Sequence, residues 1–383
     1  MIMANNSSSS VAQLKAGRLE SLDMLRGFDL FMLLMFQPVF WKLSGALPDW
    51  AWLDWVGYQL SHEAWDASFR LWDMVMPLFL FMSGASIPFA MNKYLTGERP
   101  RREAYLRIAK RLILLYVLGG VVQGNFLGLD PNRIYLYSNT LQTIAVGYLV
   151  TSLLVLNCSL KWQVVAAVAL LVIYWIPMTF CGDFTPDGNF AEKVDELILG
   201  RFRDGTRLGE NGEWVFNPNY HYTWIWSSLN FSVTVLLGSF AGQITRRVER
   251  AKAWKMLATV GIGLLIWGKL WDPQMPINKL IWSSSMTLWA GGWSFLALAV
   301  MFYWVDYKGH TKGLEWLKYY GMNSIVAYVV AQVVNFRGVV ESISYGLKAY
   351  LGDFYSAWIT FGSCLIVFII LRYMYKRGIF LRV

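Results

Sequence analysis

A histidine and a carboxylate, His62 and Asp73, lie eleven residues apart in LSHEAWDASFRLWDMVMPLFLFMSGAS (60–86). His62 sits in a short polar loop and Asp73 at the mouth of the apolar run that follows. Imidazole, with an unperturbed pKa of about 6.5, is the side chain suited to accept and return a proton near neutrality. The chain has only three histidines, His62, His221 and His310. A lone loop histidine is ordinarily a solvated one. His62 stands out because it abuts Glu63, Trp65 and Asp66 and because its loop is short enough to fold over helix ends. His221, between Tyr220 and Tyr222, reads as part of an aromatic belt.

Other groups could assist such a histidine. Gln37, expected at the outer end of the first apolar run, carries an amide that can both donate and accept. Asp23, Arg26 and Asp29 lie on that run. Arg26 and Asp29 read as an i,i+3 ion pair or as ligand-binding groups, and Asp23 with Arg26 as a pair or a hold for an anionic group. The three cysteines, Cys158, Cys181 and Cys364, show neither a disulfide framework nor metal-ligand spacing. No phosphate-binding loop, dinucleotide fingerprint, serine elbow or HExxH pair occurs. The expectation is therefore proton chemistry without a metal.

The elements that must hold these residues are membrane helices. The 383-residue chain is 56% hydrophobic and 15% charged, with mean hydropathy +0.39. Soluble domains run near 25% charged, so an ordinary soluble enzyme is excluded. About 20 apolar residues cross a bilayer core. Such runs fall near 22–40, 72–92, 107–127, 139–157, 161–180, 224–245, 254–271, 278–304, 317–336 and 355–374. The expected fold is an all-α bundle of about ten transmembrane helices with both termini cytoplasmic. Residues 1–17 read as a disordered cytoplasmic tail without signal-peptide features, and 18–383 as one membrane domain with an extracytoplasmic cap at about 181–222.

Most of the 34 basic residues fall in segments that this arrangement puts inside, so the net charge of +9 reads as topology rather than nucleic-acid binding. The outer loops then hold His62 and His221, several tryptophans, and no Asn-x-Ser/Thr acceptor. The lack of that acceptor favours a bacterial inner membrane over a lysosomal one. A transporter of a small sugar or anionic solute is the alternative reading, although no inverted repeat is visible.

Five segments in order, RLESLDMLRGFDLFMLLMF, LSHEAWDASFRLWDMVMPLFLFMSGASIPFA, LQTIAVGY, MPINKLIWSSSMTLWAGG and YYGMNSIVAY, resemble successive motifs of transmembrane acyltransferases typified by heparan-alpha-glucosaminide N-acetyltransferase. The resemblance runs from Arg18 to about Asn335. It implies that cytoplasmic acetyl-CoA, as co-substrate, gives its acetyl group to an amino sugar or glycan on the far side. It puts the essential histidine at His62, acting as general base or transient acetyl carrier. Asp73 or Glu63 would orient the imidazole, and Gln37 or Asn323 would meet the oxyanion. Gln37 stands where the family often has Asn. The CoA phosphates would need cations such as Arg26, Lys110, Arg111, Arg246 and Arg247. The expected partners are acetyl-CoA, a sugar acceptor and the bilayer, with pairing into a homodimer open.

Overall fold

The computed structural model describes residues 19–48, 50–62, 65, 69–123, 126–130, 132, 134–217 and 220–381. The expected disordered tail, and Glu63 and Asp66, lie outside the described residues. In chain order the helices are α1 (Glu20–Phe31), which passes through a π-helical turn (Met32–Phe36) into α2 (Gln37–Ser44), then α3 (Ala51–Gln59) and, after a 3₁₀ turn (Leu71–Met74), α4 (Val75–Leu95). Next come α5 (Arg101–Val122), α6 (Thr140–Asn157), α7 (Leu160–Phe180) and the short α8 (Phe190–Leu199). A two-stranded antiparallel hairpin, β1 (Thr206–Leu208) and β2 (Trp214–Phe216), pairs Thr206 with Phe216. It is followed by α9 (Ser228–Arg247), α10 (Arg250–Trp271) and α11 (Ser284–Met301), the last continuing into a π turn (Phe302–Tyr307). The chain closes with α12 (Leu317–Met322), α13 (Ser324–Val333), α14 (Phe336–Ser344), α15 (Lys348–Leu351) and α16 (Tyr355–Lys376).

Among the described residues, seven stretches are long and apolar enough to cross a membrane: Glu20–Ser44, Leu71–Leu95, Thr140–Asn157, Leu160–Phe180, Arg250–Trp271, Ser284–Tyr307 and Phe336–Lys376. The expectation from sequence is ten, and the other three runs fall short for visible reasons. The run expected at 107–127 is α5, which begins RREAYLRIAKR and is therefore heavily basic in its first half. The run at 224–245 is α9, whose Asn230, Ser232, Thr234, Ser239, Gln243 and Thr245 are all buried. A helix surrounded by protein need not be apolar throughout, and its hydroxyls bond back to their own backbone: Thr234 Oγ1 donates to Asn230 O at 2.9 Å and Ser232 Oγ to Ser228 O at 2.8 Å. The run at 317–336 is interrupted at Asn323, where φ −122° and ψ 40° leave the helical region.

The chain divides into two compact units. The larger comprises His62–Phe69 and Met76–Leu296, the smaller the residues up to Ser61, Arg70–Val75 and Ala297 onward. In the larger unit α9 packs against α6, α7 and α10, and α5 against α6. The backbones of α4 and α9 touch through glycines. A Cβ on Gly84 would lie 1.8 Å from Val235 O, and one on Gly238 1.8 Å from Phe81 O. In an apolar solvent helices associate by this kind of close approach rather than by hydrophobic exclusion.

In the smaller unit the same device joins α1 and α12, where Gly27 meets Leu317 O and Gly321 meets Asp23 O, each at 1.8 Å from a built Cβ. The start of α1 has Leu19 where a polar cap would serve. Asp306 Oδ2 takes that place by accepting from Ser21 N at 3.1 Å, and Lys318 Nζ pairs with Glu20 at 2.7 Å. The first run extends to Ser44 rather than ending near residue 40, so Gln37 lies at a junction inside it. Pro38 has no N–H to give to the carbonyl four residues back. That carbonyl, Leu34 O, accepts from Cys364 Sγ at 3.0 Å, and the π turn just before the proline takes up the misfit.

Candidate active site

The larger unit builds its polar centre from three segments: the loop at His62, the irregular stretch at 220–226, and the connection 272–283 between α10 and α11. That connection was expected to belong to a helix at 278–304. Instead the helix starts at Ser284, and 278–283 form a buried, hydrogen-bonded turn.

The turn is specified by its own side chains. Asp272 Oδ1 accepts from Ile277 N at 2.8 Å. Asn278 Oδ1 accepts from Leu280 N at 2.8 Å and Ile281 N at 3.4 Å. Ser283 Oγ accepts from Asn278 N at 3.2 Å and donates to Pro276 O at 2.7 Å. The residue before α11's Ser-rich start, Trp282, is held at φ +49°, a left-handed conformation that a bulky side chain adopts only under constraint. The constraint comes from α9. Asn230 Nδ2 donates to Trp282 O at 2.8 Å, and Trp282 Nε1 donates to Thr234 Oγ1 at 3.1 Å. Thr223 N also donates to Leu280 O at 3.1 Å, tying the 220–226 stretch to the turn.

This construction carries Lys279, 3% exposed, to His62. Lys279 Nζ lies 3.4 Å from His62 Nδ1, and Tyr222 Oη lies 3.4 Å from the same nitrogen. Both contacts are long for hydrogen bonds. An ammonium can only donate. A Lys279 ammonium bonded to Nδ1 therefore leaves the lone pair on Nδ1 and the ring hydrogen on Nε2. The His62 side chain itself is exposed, so an imidazole open to solvent is backed by a buried cation and a phenol.

Aromatic rings surround this group. Trp65 meets His221 edge to face at 5.5 Å and donates its Nε1–H to Phe184 O at 2.9 Å. Asn278 Nδ2 reaches Trp65 O at 3.4 Å. Tyr222 packs on Tyr220 and Trp224, at 5.8 Å and 6.4 Å between ring centres. Segment 181–222 supports them. Asp195, fully buried on α8, accepts from Trp224 N at 2.7 Å and Ile225 N at 2.8 Å. Burial raises its carboxyl to about 7 despite those two donors. Tyr220 Oη donates to Asp204 at 2.5 Å, and burial lifts the carboxyl and the phenol above their ordinary values. Arg203 pairs with Glu192 and stacks on Phe216 at 3.7 Å; desolvation lowers its guanidinium to about 10.

The basic residues expected to serve a phosphorylated co-substrate in this unit differ in their engagement. Lys110 and Arg247 are exposed. Arg111 lies over the Tyr148 ring at 4.1 Å. Arg246 donates to Pro88 O at 3.2 Å and also bonds Asn92 Oδ1.

The remaining candidates belong to the smaller unit. Gln37 Nε2 donates to Leu60 O at 3.1 Å, fastening the end of α3. Asp73 is fully buried, and its Oδ2 accepts from Arg70 N at 2.9 Å as the cap of the 3₁₀ turn. Arg70 lies over the Tyr58 ring at 4.1 Å and bonds Ser61 Oγ. Arg26 Nη1 is 3.9 Å from Asp23 Oδ1.

Asn323, expected near the reacting carbonyl, has both ends of its amide engaged by the C-terminal segment. Nδ2 donates to Ile379 O at 3.0 Å and Oδ1 accepts from Leu381 N at 3.1 Å. The amide thus ties the helix break to the C-terminal segment. Among the described residues no cluster of three or more His, Cys, Asp or Glu is arranged to hold a metal.

Lys279 and Tyr222 were not singled out by sequence reasoning. A lone lysine inside the apolar stretch MPINKLIWSSSM was the available signal, because a cation there is costly unless it serves a site.

A family model described as a domain of unknown function (DUF5009) matches residues 18–125, the stretch that includes Gln37, His62 and Asp73. Heparan-alpha-glucosaminide N-acetyltransferase from Homo sapiens is 25% identical over 374 aligned positions, covering 82% of this chain and 53% of the relative. The enzyme of the same name from Mus musculus is 24% identical, covering 83% and 54%. The chain spans about half the length of the curated relatives it matches.

Proposed function

We propose, starting from this distant relationship to heparan-alpha-glucosaminide N-acetyltransferase, that the protein is a membrane-embedded acetyltransferase. It takes the acetyl group of acetyl-CoA from the cytoplasmic side and transfers it to an amine, of the amino-sugar type, on the opposite side. The observation that carries this reading is the convergence of His62, Lys279 and Tyr222 on one imidazole nitrogen at 3.4 Å.

In the reaction the acceptor nitrogen attacks the thioester carbonyl. An N–C bond forms. The Lys279 ammonium swings from His62 Nδ1 to the carbonyl oxygen and meets the charge that builds there, and Nδ1, its lone pair released, takes the proton that the nitrogen sheds. The C–S bond then breaks, and the CoA thiolate leaves with the proton returned by the imidazolium. A route through acetyl-His62 uses the same groups in two steps. Tyr222 orients the ring, with Glu63 as a further positioning group. The rings of Trp65, His221 and Tyr222 suit stacking on a sugar. Lys110, Arg111, Arg246 and Arg247 are the cations for the CoA phosphates. The integral-membrane reading rests on the seven apolar stretches, and a bacterial inner membrane with both termini cytoplasmic fits the distribution of charge.

The test uses the full chain purified in detergent. Free CoA should appear from acetyl-CoA only when glucosamine or a related amino sugar is added. His62→Ala should lower that turnover by about 10²–10⁴-fold, the usual contribution of a general base, while CoA binding and thermal stability hold. Undiminished turnover in His62→Ala would sink the assignment. Absence of both CoA binding and turnover in the wild type would leave the transporter reading.

A further inference from the structure

The smaller unit contains a cavity of about 370 Å³, within the usual range of small-molecule sites, about 300–1,000 Å³. One wall is apolar and includes Leu33, Leu34 and Val367. The other carries Gln332, Asn335 and Arg337, with Thr360 and Cys364 beneath. Arg337 is the only charged residue among those that line it, and no Asp or Glu is present there. Its guanidinium donates to a neutral partner, Thr360 Oγ1, at 2.6 Å, and that hydroxyl donates to Ser356 O at 2.8 Å.

Three further observations point the same way. Arg337 is the second residue of α14 and is exposed at the rim of the cavity, where its guanidinium is open to an incoming anion. The cavity is also bordered by the first residues of α14, a nine-residue helix capped by Asn335, whose Oδ1 accepts from Gly338 N at 3.1 Å. The N-terminal end of a helix is positive and favours an anion. Leu33 and Leu34 of the apolar wall, finally, belong to the π turn before Pro38, where the helix departs from regular packing.

We propose that this cavity binds the exposed anionic phosphate of an amphiphile. The phosphate sits on the Arg337 guanidinium at the start of α14, and the acyl chain lies along Leu33, Leu34 and Val367. Guanidinium and phosphate match in geometry as well as charge. The site is independent of the acetyltransferase reading, because it uses none of that reading's residues.

The experiment adds dioleoyl phosphatidic acid, dioleoyl phosphatidylcholine or inorganic phosphate to delipidated full-length protein. Binding is counted by native mass spectrometry and followed by thermal midpoint. Phosphatidic acid should bind at one per chain and raise the midpoint, and phosphatidylcholine, whose phosphate is masked by choline, should bind far more weakly. Arg337→Gln should weaken phosphatidic acid binding about tenfold or more, as expected for loss of one charge-assisted contact. Val367→Trp, which fills the cavity and leaves Arg337 in place, should do the same. Inorganic phosphate competing at the same Arg337-dependent site would support the phosphate pocket and identify a soluble ligand as its source. Wild-type phosphatidic acid binding in either folded variant, or equal binding of the two lipids, would overturn the proposal. If Arg337→Gln does not fold, Val367→Trp decides alone.

Discussion

Two interruptions of apolar runs, one in each unit, use the same residue and differ in result. In the turn at Asn278, between α10 and α11, and at Asn323, between α12 and α13, the asparagine amide bonds backbone groups. Asn278 accepts from Leu280 N and Ile281 N, and Asn323 bonds Ile379 O and Leu381 N. Unpaired buried backbone is expensive, and in each place the amide satisfies two main-chain groups. The two places part at their neighbours. Beside Asn278 stands Lys279, buried and directed at His62 Nδ1. Asn323 is flanked by Met322 and Ser324, and its amide is used up in joining the chain's last segment to α12 and α13. A break that carries an ionisable group to another ionisable group is a candidate site. A break whose polar atoms all return to the main chain is a joint.

The largest effect that would sharpen this comparison is on Lys279. Lys279→Met should lower acetyl transfer by about 10²–10³-fold, the range for removing one preorganised donor from an oxyanion, with thermal stability near wild type. Lys279→Arg should recover part of the rate. A Lys279→Met protein with normal turnover would make the Asn278 break a joint like the other.

Asn323→Ala should behave in the opposite way. It leaves Ile379 O and Leu381 N without their partner, at about 1–3 kcal/mol of stability, read as a lower thermal midpoint. Turnover per folded molecule should stay within about twofold, a change well under 1 kcal/mol. A rate loss larger than the stability loss would restore Asn323 to the site.

The smallest effect concerns the cap that supports Tyr222. Asp195 is raised to about 7 from an ordinary value of 3.8. The folded chain therefore holds more protons than the unfolded chain between those limits, and stability falls as pH rises from about 4 to about 7. Thermal midpoints at pH 5 and pH 8 should differ less in Asp195→Asn than in wild type. An equal difference in both would remove Asp195 as the source.

Legibility followed the range of the interaction. The membrane character and the position of most apolar runs were readable, because they depend on composition and local order. The helix ends were less so. Pro38 sits within a continuous run because the π turn before it absorbs the misfit, and α9 is polar because protein covers it. Gln37 and Asp73 were visible as polar groups, but their hydrogen bonds to Leu60 O and Arg70 N depend on how the chain returns.

The sequence by itself determined that this chain needs an apolar solvent, and the distant relationship to an acetyltransferase lies in the order of its motifs. Its run of residues also contained the atoms of the candidate site. Tertiary structure alone decided which of them meet. Lys279 stands 217 residues beyond His62 and Tyr222 stands 160 beyond it. Their approach accompanies a left-handed conformation at Trp282 that Asn230 and Thr234, on another helix, help to hold. Local preference opposes that backbone, and long-range hydrogen bonds in a buried setting overcome it.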